Sequence, residues 1–273
     1  MAERTLAATG RRGFDLRHQH GFSTIALLCF LFLYAPIGLL LIYSFNSSAS
    51  LTAFHGVSVD WYVKALNNRQ VQRAAWVSIE IATVATLAST LLATAAALAT
   101  ARAAPFRGMV TSYVIINFPL MVPEIITAIA TLSFFALLGV DRGFLTLALA
   151  HTCFCVPFAY MPVRARLEDM DRNLELAAAD LYATPWATFR RVTLPLLMPG
   201  ILAGAMLAFI VSIDDYIITS FVGGPGWTTL PVYIFSTVRN VITPEINAVS
   251  SLLMLVSIGF VSLSLLTGVR RSG

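Results

Sequence analysis

The apolar positions of this chain gather into six long runs, near 24–45, 75–101, 109–138, 144–163, 197–221 and 249–269, each parted from the next by a polar stretch. About 20 mostly apolar helical residues cross the hydrocarbon of a bilayer, so the pattern predicts six membrane-crossing helices in one domain, 23–270. The third run is longer than a straight crossing needs and contains Pro119 and Pro123. Each proline removes a backbone donor and frees the carbonyl four residues earlier, so a kink or break is predicted there. The first run follows a basic stretch as a signal peptide would, but it is too long for an h-region and ends in Tyr43-Ser44-Phe45-Asn46 without a small-residue cleavage site. An uncleaved anchor is expected, preceded by a polar cytoplasmic tail, 1–22.

The polar stretches differ in character. The one after the first run opens with the Ser-rich Asn46–Ser50 and continues through Ser58-Val59-Asp60-Trp61-Tyr62, predicting a short amphipathic helix capped by Ser58 or Asp60. The stretch 222–248 begins Gly223-Gly224-Pro225-Gly226, a turn leading to a short surface element. The longest, 164–196, is charged and helix-forming although apolar runs flank it. Its Leu174–Ala183 segment favours helix, Thr184-Pro185 is a cap followed by a first-turn proline, and Leu194-Pro195 closes it. Two short helices joined by a tight turn are predicted.

With 58% hydrophobic and 12% charged residues and a mean hydropathy of +0.78, the chain is too apolar for an ordinary soluble domain. Arg4, Arg11, Arg12, Arg17, Arg102, Arg107, Arg164, Arg166, Arg172, Arg190, Arg191, Arg270 and Arg271 fall on one side of the predicted spans, whereas Lys64, Arg69, Arg73, Arg142 and Arg239 fall on the other. Cytoplasmic loops retain positive charge, which places both termini and the loop 164–196 in the cytoplasm. The net charge of +4 therefore reports topology and no nucleic-acid partner. Cys29, Cys153 and Cys155 all lie in apolar runs and read as small hydrophobes, without a disulfide framework. His151 and Cys153 point about 200° apart on a helix, which rejects a metal site there.

Four acidic residues, Glu80, Glu124, Asp214 and Asp215, fall inside the runs, and no Lys or Arg does. A charge at the bilayer centre costs at least about 2.5–3.5 kcal/mol, so these carboxylates should face a partner helix or a water-filled path. The sign imbalance points to cations. Glu124 directly follows Pro123, beside carbonyls that proline leaves free. Asp214 and Asp215, about 100° apart on a helix, would turn one side chain to a path and the other to packing. Glu80 lies near enough to Arg73 to be an interfacial anchor. No run pairs a nucleophile with a base or holds a histidine-rich cluster, which argues against an intramembrane enzyme. A self-sufficient cation channel or a proton-coupled carrier would use the same carboxylates.

In the loop 164–196 the chain resembles the permease subunits of bacterial ATP-binding-cassette importers. Their loop carries Glu-Ala-Ala, three residues, Gly, nine residues, an aliphatic, any residue, then Leu-Pro. Ala177 and Ala178 match the alanines, and Val192, Leu194 and Pro195 the downstream positions; Leu176 stands for the glutamate, with Glu175 one residue early, and Tyr182 for the glycine. Val122-Pro123-Glu124-Ile125, Ser212–Phe221 and Pro244–Ala248 narrow the likeness to the second permease of spermidine/putrescine-type importers. The resemblance implies an all-α, six-span type I permease fold with a cytoplasmic coupling loop, set in the bacterial inner membrane. It also implies a second related permease, two cytoplasmic ATPase subunits that use ATP and Mg, and a periplasmic substrate-binding protein. Nothing implies a cofactor or metal on this chain. Coupling would rest on Glu175, Ala177, Ala178, Asp180, Tyr182, Val192, Leu194 and Pro195. A polyamine is an extended cation whose ammonium groups need acceptors and whose methylenes want apolar or aromatic walls. Glu124, Asp214 and Asp215 would supply the first, Trp61 and Tyr216 the second. Another amine or amino-acid-derived solute is the alternative cargo.

Overall fold

A computed structural model describes residues 20–48, 53–102, 106–240 and 243–269. Residues 1–19, most of the stretch read as a tail, lie outside it, as do Arg270 and Arg271; His20, Gly21 and Phe22 already belong to the first helix. Twelve α-helices follow in order among the described residues: α1 (His20–Ser44), α2 (Asp60–Asn67), α3 (Arg69–Ala101), α4 (Met109–Met121), α5 (Glu124–Leu137), α6 (Phe144–Asp169), α7 (Asn173–Asp180), α8 (Pro185–Thr188), α9 (Leu194–Ile213), α10 (Ile217–Val222), α11 (Leu230–Asn240) and α12 (Pro244–Val269). Five helical runs are long and apolar enough to cross a membrane, and six if α4 and α5 together form one span.

The third apolar run turns by 109° between α4 and α5. Pro123 has no N–H to continue the ladder of α4, Val122 ahead of it is extended at ψ 134°, and the helix resumes at Glu124. The expected cap of α2 by Ser58 or Asp60 is corrected, because Asp60 is already the first helical residue and the cap residue makes no side-chain bond to the helix. Val59 occupies the cap position, and the hydroxyl of Ser58 accepts from the N–H of Asp60 at 3.0 Å.

α3, α6 and α9 form the core. Ala93 and Ala97 of α3 meet Cys155, Ala159, Tyr160, Val163 and Leu167 of α6 and Leu197 and Ala208 of α9, all buried. Where the solvent is lipid, helices gain little from hiding apolar surface and associate by close packing of small residues. The α6–α9 seam shows how. Gly200, Gly204, Ala208 and Ser212 recur every four residues of α9 and run along α6 past Arg166, Ala159, Cys155 and His151 in turn. A Cβ on Gly204 would stand 2.6 Å from the carbonyl oxygen of Ala159, so only glycine admits this approach.

Polar bonds fasten the seam at both ends. At one, Arg166 Nε donates to the carbonyl of Leu196 at 2.9 Å; at the other, His151 bonds to Ser212 at 2.8 Å. Tyr160 and Thr100 bond through their hydroxyls at 2.8 Å and tie α6 to α3. The apolar side chains of α1 stand outward, and α12 packs along it.

Candidate functional site

The fifth apolar run is not one helix. α9 stops at Ile213, and Asp214, Asp215 and Tyr216 form a break before α10. The reason lies in Asp215, whose carboxylate takes the free donors at the start of α10. Oδ1 accepts from the N–H of Ile218 at 3.2 Å, and Oδ2 accepts from the N–H and the hydroxyl of Thr219, both at 2.9 Å. Aspartate competes with the backbone for such donors, which is why it ends helices and starts them. The break turns neighbouring carboxylates in opposite directions: Asp215 is 5% exposed and points inward, while Asp214 is exposed and faces a cleft. The expectation of two acids 100° apart on a continuous helix is thereby corrected.

The cleft lies between the break, α11 and α12 and has a volume of about 540 Å³. Tyr216 and Phe235 form an aromatic wall, with ring centroids 4.4 Å apart, and Leu253 and Met254 of α12 also line the cleft. Asp214 is its one carboxylate among the described residues, and Ser257 Oγ donates to it, 3.2 Å from either oxygen. A negative group in an apolar, aromatic cleft suits a cation that carries methylenes.

Glu124, the first residue of α5, is half-buried, and its side chain meets that of Asp215. The structure thus brings three of the predicted pathway acids to one place, with Glu124 and Asp215 on the inner side and Asp214 in the cleft. Trp61 is not there. It sits on α2, its indole N–H donates to the carbonyl of Asn46 at 2.8 Å, and Lys64 Nζ lies 4.1 Å from the centre of its ring. One face of the ring is thus taken by Lys64, and Trp61 does not line the cleft that holds Asp214. Tyr216 does line the cleft.

Sequence reasoning missed His151. It is fully buried on α6 and meets the break directly: Nδ1 is 2.8 Å from Ser212 Oγ, Nε2 is 2.9 Å from Thr219 Oγ1 and 3.3 Å from Asp215 Oδ2. The premise that no basic group accompanies the intramembrane acids therefore fails for Asp215, which is latched to protein donors. The signal was present, since a histidine inside an apolar span is ionisable and asks for a partner. Only its relation to Cys153 on the same helix was considered, and its partners lie on other helices.

In the coupling loop, α7 ends at Asp180 in a turn whose N–H groups close back on the helix: Tyr182 N–H to Ala179 O at 2.9 Å and Ala183 N–H to Ala178 O at 3.0 Å. This is the Schellman arrangement, which needs a left-handed residue at the position after the cap. Tyr182 takes it, with φ 61°, where the importer motif has glycine. Its side chain is 97% exposed, and those of Leu181 and Trp186 stand outward too. Thr184 Oγ1 accepts from the N–H of Ala187 at 3.3 Å to start α8. A π-helical turn, Phe189–Thr193, holding Val192, then joins α8 to α9 without a gap, so Leu194 and Pro195 are the first residues of α9. The second loop helix is therefore continuous with the span.

Glu175 is the loop's inward contact. It accepts from Thr193 Oγ1 at 2.8 Å and lies 3.8 Å from Arg102 Nε, while Arg102 also donates to the carbonyl of Met170 and Arg172 to that of Ala101. One position early in the motif, the glutamate still reaches the base of α9. Ala177 and Asp180 are exposed, and Ala178 is half-buried.

Residues 89–271 match the family model described as the binding-protein-dependent transport system inner membrane component. The putrescine transport system permease protein PotI of Escherichia coli K12 is 44% identical over 236 residues, covering 84% of each chain. The spermidine/putrescine transport system permease protein PotC of the same organism is 37% identical over 227 residues, 83% of this chain and 86% of that one. Among solved structures, a bacterial ABC transporter involved in import of the acidic polysaccharide alginate superposes with a TM-score of 0.70 at 16% identity, covering 93% of this chain and 95% of that one. The MetNI methionine ABC transporter gives 0.60 at 19% identity over 70% and 91%. The all-helical, membrane-crossing architecture and these matches agree: the chain belongs to the inner-membrane permease components of binding-protein-dependent ABC transport systems.

Proposed function

We propose that the chain forms one half of the path of an ATP-driven importer for polyamines such as putrescine or spermidine, and that the cleft at the α9–α10 break is where the cargo passes. The observation that carries this is the cleft itself: one outward carboxylate, Asp214, two aromatic rings in contact and aliphatic walls. The fold alone does not choose a cargo, since a structural neighbour serves an acidic polysaccharide. The identity to PotI and PotC supports a polyamine, and so does the chemistry, because an anionic solute would meet Asp214 with no cation lining the cleft among the described residues. Asp215 and Glu124 shape the wall behind Asp214. Binding here is weak by design, because a conducting path must release what it admits.

The energy comes from elsewhere. α7 and α8 dock on ATPase subunits in the cytoplasm, presenting Leu181, Tyr182 and Trp186. Because α8 runs into α9, a displacement at the loop reaches the far end of a helix about 30 Å long at 1.5 Å per residue. The packed α3–α6–α9 core then moves as a body between two arrangements. Both termini lie in the cytoplasm, a related permease completes the path, and a periplasmic protein delivers the cargo.

The test is uptake of labelled putrescine into proteoliposomes holding the purified complex with its binding protein. Uptake that needs ATP inside the ATPase compartment and is blocked by excess spermidine is expected. Flux through this chain alone, without ATP, would replace the importer reading with a carrier or channel.

A further inference from the structure

We propose that His151 is a positioning residue for cargo recognition: by holding the α9–α10 break in one conformation it keeps Asp214 turned into the cleft. This rests on the polyamine reading of the cleft.

The bond pattern leaves little freedom. The hydroxyl of Thr219 spends its one hydrogen on Asp215 Oδ2, so its oxygen accepts from His151, which carries a proton on Nε2. In the neutral ring Nδ1 then accepts from the hydroxyl of Ser212. One ring thereby joins the last turn of α9, through Ser212, to the first turn of α10, through Thr219, across the three non-helical residues. Every member is buried: His151 at 0%, Ser212 and Thr219 at 3%, Asp215 at 5%. No water competes at such a site, and losing one partner leaves the others unsatisfied.

Asp214 and Asp215 are adjacent in the break, so a backbone held through Asp215 also holds the Cα–Cβ direction of Asp214. Fixed inward by Thr219, Ile218 and His151, Asp215 obliges Asp214 to face Ser257 and the cleft. Tyr216, the next residue, is held in the same way against Phe235. His151 touches neither the cleft nor a solute in it; it acts through the break. It also sits on α6, which is fastened along the seam to α9, so the cleft carboxylate and the coupling loop belong to the same packed unit.

The measurement is the concentration dependence of putrescine uptake by the reconstituted complex, comparing Asp214→Asn, His151→Leu, the pair together and Thr219→Val, with copurification of the partner subunits checked for each. Thr219→Val keeps the shape and removes the hydroxyl, so it remains informative where His151→Leu fails to assemble; Thr219→Ser, which keeps the hydroxyl, is the rescue. His151→Leu and Thr219→Val are expected to raise KM about tenfold, the scale of one lost hydrogen bond to a charged group, with a smaller change in maximal rate. Thr219→Ser stays near wild type. In the Asp214→Asn background, His151→Leu adds nothing to KM. A KM that rises with Asp214→Asn but not with Thr219→Val or His151→Leu overturns the positioning role and leaves the cleft reading standing. So does a rise that multiplies in the pair. A KM untouched by Asp214→Asn overturns the cleft reading, and the role of His151 falls with it.

Discussion

Replacing Gly204 by alanine probes the contact on which the α6–α9 unit depends. The new Cβ would lie 2.6 Å from the carbonyl oxygen of Ala159 and 3.3 Å from its carbonyl carbon and Cα. Those are backbone atoms of a packed helix, so no side chain can rotate aside. Relief requires the helices to part by roughly 1 Å to reach ordinary carbon contact distances. Overpacking of this kind costs about 1–3 kcal/mol, against which the better helix propensity of alanine returns about 1 kcal/mol. The net loss, about 0–2 kcal/mol and centred near 1, lowers the thermal midpoint of the purified complex by roughly 2–4 °C at about 2–4 °C per kcal/mol. Gly38→Ala is the control, because no atom lies within 4 Å of its added methyl; it keeps the propensity gain and leaves the midpoint unchanged or higher. ATP-dependent uptake by Gly204→Ala falls as well, since a parted seam loosens the break that presents Asp214. Equal midpoints for the two variants, with full uptake by Gly204→Ala, would refute the close packing of α6 on α9 and the rigid unit built on it.

Tyr182→Gly removes a side chain that is 97% exposed and relieves a left-handed tyrosine, so the permease gains about 1 kcal/mol in thermal stability. If the exposed ring contacts the ATPase, the same variant lowers uptake per ATP hydrolysed, measured as the ratio of labelled putrescine to released phosphate. Glu175→Ala deletes the acceptor of Thr193 and the partner of Arg102 and leaves membrane insertion intact. It is expected to reduce uptake more than ATP hydrolysis, read from the same two assays, because the base of α9 loses its tie to α7.

The membrane character, the helical class and the unusual third run were legible because apolar run length and proline position act locally. Pro123 ends α4 and Glu124 begins the next helix, whereas Pro119 is carried inside α4. The coupling loop was legible as a motif, although the continuity of α8 with α9 was not, since Leu194-Pro195 reads as a stop while proline is at home in a first helical turn. The site was half legible. Acids in apolar runs announced Glu124, Asp214 and Asp215, and the division of the aspartates into one facing a path and one packed holds; the break that holds them was not legible, because it follows from Asp215 spending its carboxylate on the donors of α10. The role of His151 depends on residues 61 and 68 positions away in sequence, Ser212 and Thr219, and no local pattern encodes that meeting. Trp61 was legible as an interfacial aromatic, and Lys64, one turn ahead on α2, lies over a face of its ring.

Occupancy of the cleft by a diamine tests the account most directly. With Cys29, Cys153 and Cys155 replaced by serine or alanine, Met254→Cys places this chain's single thiol on the cleft lining. Its reaction rate with a small cationic methanethiosulfonate is followed in the working complex supplied with ATP and binding protein. Putrescine slows the labelling in proportion to its uptake, and it does so less in the Asp214→Asn background. Labelling that proceeds at one rate with and without putrescine, while uptake continues, would place the cargo elsewhere and contradict the account.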